Sequence, residues 1–393
     1  MNRRFSIICL SSQEWRVDLP TNRQQIMLRA ARRGHDVLFV ETSSFFARHL
    51  SEAAVRRDCS LWHRLVSSEE AEPGVRVRKA PNLLPWGKKY RLPNAVNRTV
   101  AAAMLRRVAR RLPKPVVLWI YDPTFAGLAG RCGEAFAVYD CVDDYVEQNG
   151  GDARRRALLA SADERAADVS RLVFATSRTL YDRQRRLNEQ THLVPNGGDY
   201  EHFRAAADPA IAAVETQGLA EPVIGFAGNL TVSKVDFALL EEIARAKPDW
   251  TLLLVGPVRH EADGALDSLR AHPNVRWLGE KPYGDLPRYI AVFDVALIPY
   301  VSSAYTRSCF PLKLYEYLAA GKPIVASGVP ELAGMEPDVV VTESATAFVA
   351  AVEEALSRRS EADRERRFAL ASRNTWDTRT GRLLDLIAEE LPA

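Results

Sequence analysis

The chain has 393 residues, of which 47% are hydrophobic and 26% charged, and its formal net charge is +3. That composition excludes disordered and fibrous classes, and the length calls for two domains of about 150–200 residues each rather than one core. No run approaches about 18 apolar residues, so no membrane-spanning helix is expected, and the apolar run after the basic start MNRR is too short for a signal peptide.

The small net charge conceals an asymmetry. Residues 1–205 carry 34 Lys and Arg against 23 Asp and Glu, whereas the remainder is acidic. A basic half joined to an acidic half points to one domain that meets an anionic substrate or surface. Nucleic acid is not expected, because the basic excess is spread over a half that also holds many acids. The cysteines (Cys9, Cys59, Cys132, Cys141, Cys309) are scattered, odd in number and form no C-x-x-C pair. They point to a reducing cytoplasm, with neither a disulfide framework nor a structural zinc.

In chain order, FSIICL (5–10) reads as a first strand, 22–33 as a helix closed by Gly34, and DVLFVE (36–41) as a second strand. His35 falls between helix and strand, at the sheet end opposite the expected ligand, and is read as structural. Regularity fades over 42–113. There SSFFARHL and 62–66 mix aromatics with arginine, and VRVRKA (75–80) alternates like a strand. PNLLPWGKKYRLP is a proline-punctuated loop, and 94–112 is an Ala/Arg-rich helix. Its arginine pairs, Arg106–Arg107 and Arg110–Arg111, lie one turn apart and suit either an anionic bilayer surface or plain solvent.

PVVLWIY (115–121), AFAVYD (135–140), SRLVFAT (170–176) and THLVP (191–195) are apolar strands separated by helices, the pattern of a parallel sheet covered on both faces. After an alanine-rich linker, 205–222, the alternation restarts. VIGFAG (223–228), TLLLVG (251–256), VRWLG (275–279), VALIPY (295–300), PIVAS (323–327) and DVVV (338–341) are strands of a second sheet, followed by helices.

Ligands of open parallel sheets bind beyond the carboxyl ends of the strands. Candidate residues stand there: Gly228, Asn229, Gly256 and the run from Ser308 to Lys313 in the second half, and Asp122, Asp140, Asp143 and Asp144 in the first. The three clustered acids have no histidine among them and are read as structural rather than metal-binding. The densest stretch is CFPLKLYEYLAAGKPIVAS (309–327). Leu314, Tyr317 and Leu318 give a short helix one apolar face, Pro311 suits its first turn, and Gly321 ends it. Lys313 and Glu316 then share a face near the helix start, where free N–H groups favour an anion. Spacing alone favours an ordinary surface Lys–Glu pair.

P-x-K-x-Y-E-Y-x-A-x-G-x-P-I-V-A resembles the donor-site signature of GT-B glycosyltransferases, particularly the family 4 type related to teichuronic-acid and other cell-envelope saccharide enzymes. RGHDVLFVE resembles that group's opening βαβ unit, NGGDYEHF its domain junction, and SRNTWDTRTGRLLDLIAEEL its last helix, which crosses back to the first domain. The resemblance implies an α/β protein of GT-B fold, with two Rossmann-like doubly wound domains facing an interdomain cleft. Residues 1–205 would be the acceptor domain, completed by a crossover helix over 376–393, and 206–375 the nucleotide-sugar donor domain.

The same resemblance implies a cytoplasmic glycosyltransferase that needs no metal or other cofactor. It would move a sugar from a nucleoside diphosphate donor such as a UDP-sugar to a hydroxyl of a saccharide, lipid-linked or small-molecule acceptor. The basic half would be available for peripheral contact with an anionic membrane. Glu316 would hold the donor ribose, and the helix start with Ser308, Cys309, Pro311, Leu312 and Lys313 would face the diphosphate. GFAGNLTVSKVD matches the donor-phosphate loop, with Lys234 in the lysine position and Gly228 and Gly256 lining the strand ends. Asp122, in YDP, matches the place where relatives carry a His or an acid facing the sugar, which makes it the candidate for a general base or a donor-sugar contact.

Three departures stand out: Asn229 replaces the usual Arg, Val235 the usual Gly, and Ser308 the first of two glutamates carried by retaining members. Retention of configuration is therefore not carried over. Two other readings remain: a non-hydrolysing sugar-nucleotide 2-epimerase, disfavoured by the scarcity of His at strand ends, and a non-catalytic sugar-nucleotide-binding subunit.

Overall fold

The computed structural model of the protein describes residues 3–17, 19–42, 68–80, 91–149 and 151–391. The expectations for 43–67 and 81–90 lie outside these. The chain forms two compact units, Met1–Val194 with Arg379–Ala393, and Pro195–Thr378.

Among the described residues the first unit contains eight strands: β1 (Ser6–Ser11), β2 (Asp36–Thr42), β3 (Glu69–Glu72), β4 (Val75–Ala80), β5 (Val116–Ile120), β6 (Phe136–Cys141), β7 (Leu172–Ala175) and β8 (Thr191–Leu193). They form one sheet in the order β3-β4-β2-β1-β5-β6-β7-β8, parallel except for β3 against β4. Every residue of β1, β5 and β7 is buried, as continuous apolar runs covered on both faces require. The strand order reverses at β1, which lies between β2 and β5, and this switch point is where a doubly wound sheet opens at its carboxyl ends. Edge strand β3 escapes a reading by pattern, because EEAE offers one alanine among glutamates and is mostly exposed.

Leading into β2, the helix Asn22–Arg32 starts with a reciprocal capping box between Thr21 and Gln24 and buries Ile26, Met27 and Ala30. His35, at the amino end of β2, is buried with Nδ1 3.1 Å from the Phe5 carbonyl, in agreement with a structural role. The Ala/Arg-rich helix runs Arg91–Ala109.

Buried charge ties the last helix, Trp376–Glu389, to this unit. Arg379 donates to Asp140 at 3.0 Å, with both side chains almost wholly buried, and Leu383 and Ile387, one and two turns further along the helix, are fully buried as well. Asp144 accepts from Arg183 at 2.6 Å and caps the short helix Tyr145–Asn149 through the Val146 and Glu147 amides. These two acids are structural, as the sequence indicated.

The second unit contains β9 (Val223–Ala227), β10 (Thr251–Val255), β11 (Val275–Trp277), β12 (Val295–Pro299), β13 (Ile324–Ser327) and β14 (Val339–Thr342). They form an all-parallel sheet in the order β11-β10-β9-β12-β13-β14, which reverses at β9. Residues 205–222, expected as a linker, belong to this unit. Short 3-10 turns carry Ala206 and Ala213 into its core, and the Ala213 amide donates to the Arg288 carbonyl at 3.1 Å. One-turn elements have no period to read, which is why composition alone made this stretch a linker. The first unit accordingly closes at Val194 rather than at 205, and the return crossing falls inside the last helix, between Thr378 and Arg379.

No helix among the described residues is long and apolar enough to cross a membrane. Removing one partner of a buried ion pair leaves the other charge uncompensated, which costs about 3–5 kcal/mol. Asp140→Ala is therefore expected to lower the unfolding free energy of the first unit by that order, read as a lower urea midpoint, whereas replacing both partners with apolar residues costs less. An unchanged midpoint for the single variant would remove the pair from the stability of this unit.

Candidate functional site

Three elements meet at the carboxyl end of β9. The strand VIGFA is buried throughout and ends in Gly228, whose amide donates to the Val255 carbonyl at 2.8 Å. Beside it β10 ends in Gly256. A Cβ at Gly256 would fall 2.1 Å from the Gly228 carbonyl oxygen, so the two strand ends approach too closely for a side chain. The third element is the helix Lys313–Ala319. Its apolar face buries Leu314, Tyr317 and Leu318, and the Tyr317 hydroxyl accepts from the Ala227 amide at 2.8 Å. Helix and strand end are thereby bolted together, a contact that the sequence pattern assigned only to the core. Gly321, at φ 73°, terminates the helix.

This packing lays Lys313 across the end of β9. A Cβ at Gly228 would fall 2.1 Å from Lys313 Cε and 2.3 Å from Nζ, and the ammonium lies 5.6 Å from the centre of the Phe226 ring. Glu316 follows one turn along and is half-buried. Burial pushes its carboxyl above the usual glutamate range, opposed by the charges of Lys313 and His202 and reinforced by Asp199. Among the described residues, none hydrogen-bonds or ion-pairs with the side chain of Lys313 or of Glu316. A cation and a carboxylate on one face, both uncommitted at a topological switch point, can take an anion and a pair of hydroxyls.

Lys234 lies 5.1 Å from the Tyr305 ring, and its carbonyl accepts from the Val301 amide, which brings its loop to the end of β12. Asn229 is exposed. Ser308 and Cys309 are buried; the Ser308 hydroxyl donates to the Tyr305 carbonyl at 2.8 Å and closes the helix Ala304–Arg307. Pro311 stands before Leu312, the N-cap, rather than inside the first turn as expected, and its carbonyl accepts from the Leu314 amide.

Two residues near Glu316 escaped the sequence reading. Asp199 and His202 reach it from the N-G-G-D turn and the helix Tyr200–Arg204, a stretch read only as a domain junction. The turn is glycine-rich because it is squeezed: a Cβ at Gly198 would fall 2.6 Å from Tyr315 Cβ, and one at Gly197 2.5 Å from the Thr375 carbonyl carbon. His202 stacks on Tyr283, ring centres 4.7 Å apart, with Nε2 3.0 Å from the Tyr283 carbonyl oxygen.

Asp122 belongs to the first unit. It follows β5 and caps the 3-10 helix Pro123–Leu128, with Oδ1 accepting from the Thr124 amide at 2.9 Å and from its hydroxyl at 2.6 Å. Among the described residues, none bonds its Oδ2.

Residues 221–358 match the family described as Glycosyl transferases group 1. The chain is 32% identical over 277 residues to a Bacillus subtilis (strain 168) protein named as a teichuronic acid biosynthesis glycosyltransferase, TuaH; the likeness covers 66% of this chain and 68% of that protein. In fold it is similar to sucrose-phosphate synthase from Thermosynechococcus elongatus, with a TM-score of 0.74 at 16% identity over 98% of both chains. It is likewise similar to Anabaena HepE in complex with UDP and glucose, with a TM-score of 0.69 at 16% identity over 98% of this chain and 100% of the other. With two Rossmann-like domains and a likeness to TuaH over two thirds of that protein, the chain belongs to the group 1, family 4-like glycosyltransferases of GT-B fold.

Proposed function

We propose that this glycosyltransferase takes a UDP-sugar as donor and a saccharide hydroxyl as acceptor, and that it works without a metal ion. The observation that carries the reading is the pair Lys313 and Glu316, uncommitted and one turn apart beside a strand end stripped of side chains. Gly228 leaves the room that Lys313 occupies at the strand end, and Lys313 and Lys234 meet the charge of the diphosphate. That charge grows as the sugar–phosphate bond breaks, so cations fixed in advance stabilise the transition state more than the ground state. Two ammonium groups supply there the charge that a divalent cation supplies in other transferases. Glu316 accepts hydrogen bonds from the ribose. The complexes of HepE with UDP support the nucleotide, and the teichuronic acid biosynthesis in the name of TuaH supports a saccharide acceptor. Asp122 in the first unit keeps Oδ1 on its cap and offers Oδ2 to the acceptor proton, as general base.

Lys313→Ala is expected to weaken UDP binding by about 1.5–3 kcal/mol, the range for a hydrogen bond to a charged group, as read by calorimetry. Unchanged affinity would remove Lys313 from the donor site. Turnover should survive EDTA, and a loss restored by one divalent cation would refute metal independence.

Glu316 and Asp122 should act on different parameters. Glu316→Gln should damage donor affinity first. Because burial raises the Glu316 pKa, and the charged form binds ribose, wild-type affinity should fall with decreasing pH sooner than an ordinary glutamate would allow, and Glu316→Gln should flatten that slope. Asp122→Asn keeps the cap acceptor, so it should leave UDP binding intact and lower kcat by about 10²–10⁴-fold. Normal turnover in that variant would return Asp122 to its cap alone.

The basic half offers one further contact. The helix Arg91–Ala109 exposes Leu92 and Val96 and carries Arg106 and Arg107 in its last turn, with Arg110 and Arg111 just beyond, all exposed. Sedimentation with phosphatidylglycerol vesicles should fall steeply with salt, because exposed charges are screened over about 8 Å at physiological ionic strength. No vesicle binding at low salt would exclude this helix as a membrane contact.

A further inference from the structure

The first unit holds a second basic feature, well away from its switch point. Strand β8 is the sheet edge, and β6 and β7 separate it from β5. Against this edge lies a cavity of about 470 Å³, lined by Arg178, Tyr181 and Arg185 from the helix Arg178–Arg185, Glu189 and His192 around β8, and Arg382 from the last helix. The first three residues recur at positions i, i+3 and i+7, so one helix face presents them together. Arg178 and Arg185 flank the Tyr181 ring, their guanidinium carbons 5.4 and 5.8 Å from its centre. Among the described residues, no carboxylate pairs with Arg185 or Arg382. At the cavity wall, His192 Nε2 is buried without a hydrogen-bond partner.

We propose that this cavity is a binding site for a phosphoryl anion, held by the guanidinium groups of Arg185 and Arg382, with the imidazole of His192 in the cavity lining close enough to sense the bound charge. Guanidinium matches phosphate oxygens in geometry as well as charge. The anion is either a free phosphate or phosphomonoester, or the phosphate of a lipid headgroup. The site shares no residue with the donor site of the second unit, so it stands or falls independently of the proposed function.

The electrostatics set the sign of the test. Burial first, then Arg382 and Arg185, hold the His192 pKa below the usual imidazole range, while Glu389 and Glu390 pull it the other way. Glu390 is also paired with Arg171 at 2.6 Å. An anion that neutralises the two arginines must raise the pKa of His192. The full chain, labelled at histidine, would be titrated by NMR with inorganic phosphate, with chloride at matched ionic strength as reference, and with phosphatidic acid vesicles by sedimentation. Arg185→Gln/Arg382→Gln serves as the variant; both side chains are exposed and folding should persist, with UDP binding as the check.

Phosphate that moves the His192 titration to higher pH, with affinity falling more than about tenfold in the double variant, supports a soluble phosphate ligand. Silence toward phosphate, with vesicle binding that the double variant loses, supports a lipid phosphate. Responses to neither probe, responses equal to those with chloride, or responses unchanged in the double variant overturn the proposal.

Discussion

Position 228 has no room for a side chain, and the donor-side geometry depends on that. The ends of β9 and β10 touch through the Gly228 carbonyl and Gly256, and Lys313 fills the space where a Cβ would stand. Interiors packed to crystal density cannot absorb an extra carbon without moving their neighbours. The Tyr317 hydroxyl on the Ala227 amide then fixes the height of the helix against the strand. Precision at this site thus comes from backbone proximity rather than from a hydrogen-bond scaffold around the polar groups. Lys313 and Glu316 remain uncommitted because their positions are set by what lies beneath them.

The first unit solves a different problem by a different means. Its sheet ends are held by buried charge: Asp140 with Arg379, and Asp163 accepting from the Tyr139 hydroxyl at 2.6 Å and from Gln184 at 2.8 Å while Arg183 lies nearby. Such pairs gain little over apolar packing, but they penalise every arrangement in which one partner is left alone. A helix docked by Arg379 onto Asp140 has one acceptable register. The second unit uses the same device once, where Asp338 receives both Arg366 and Arg367 and anchors the helix Glu361–Arg373.

Strands such as VVLWI and TLLLV were legible because a short apolar run bounded by turn residues has the length of a buried strand and is too short for a buried helix. β3 was not, because an exposed edge strand needs no apolar residue. The linker over 205–222 was misjudged for a related reason: its packing depends on hydrogen bonds of its backbone with Arg288 and on small residues that reach the second core, and local composition does not encode that. At the site, Lys313 and Glu316 announced themselves through spacing and motif. Asp199 and His202 did not, because they lie more than a hundred residues from Glu316 in the chain and meet it only after folding. Asp122 was visible as an acid after a strand, but its cap on Thr124 became evident only from the geometry.

The last helix begins in one unit and ends in the other, so the second unit is an insertion into the first. During synthesis, residues 195–378 leave the ribosome complete while the first unit still lacks Arg379 to Leu391. Until then the Asp140 carboxylate lacks Arg379, and the surface that will receive Leu383, Leu384, Leu386 and Ile387 is open to water. The chain thus matures out of order. Its N-terminal portion is the first made and the last finished, and its vulnerability to aggregation or proteolysis is concentrated in that interval.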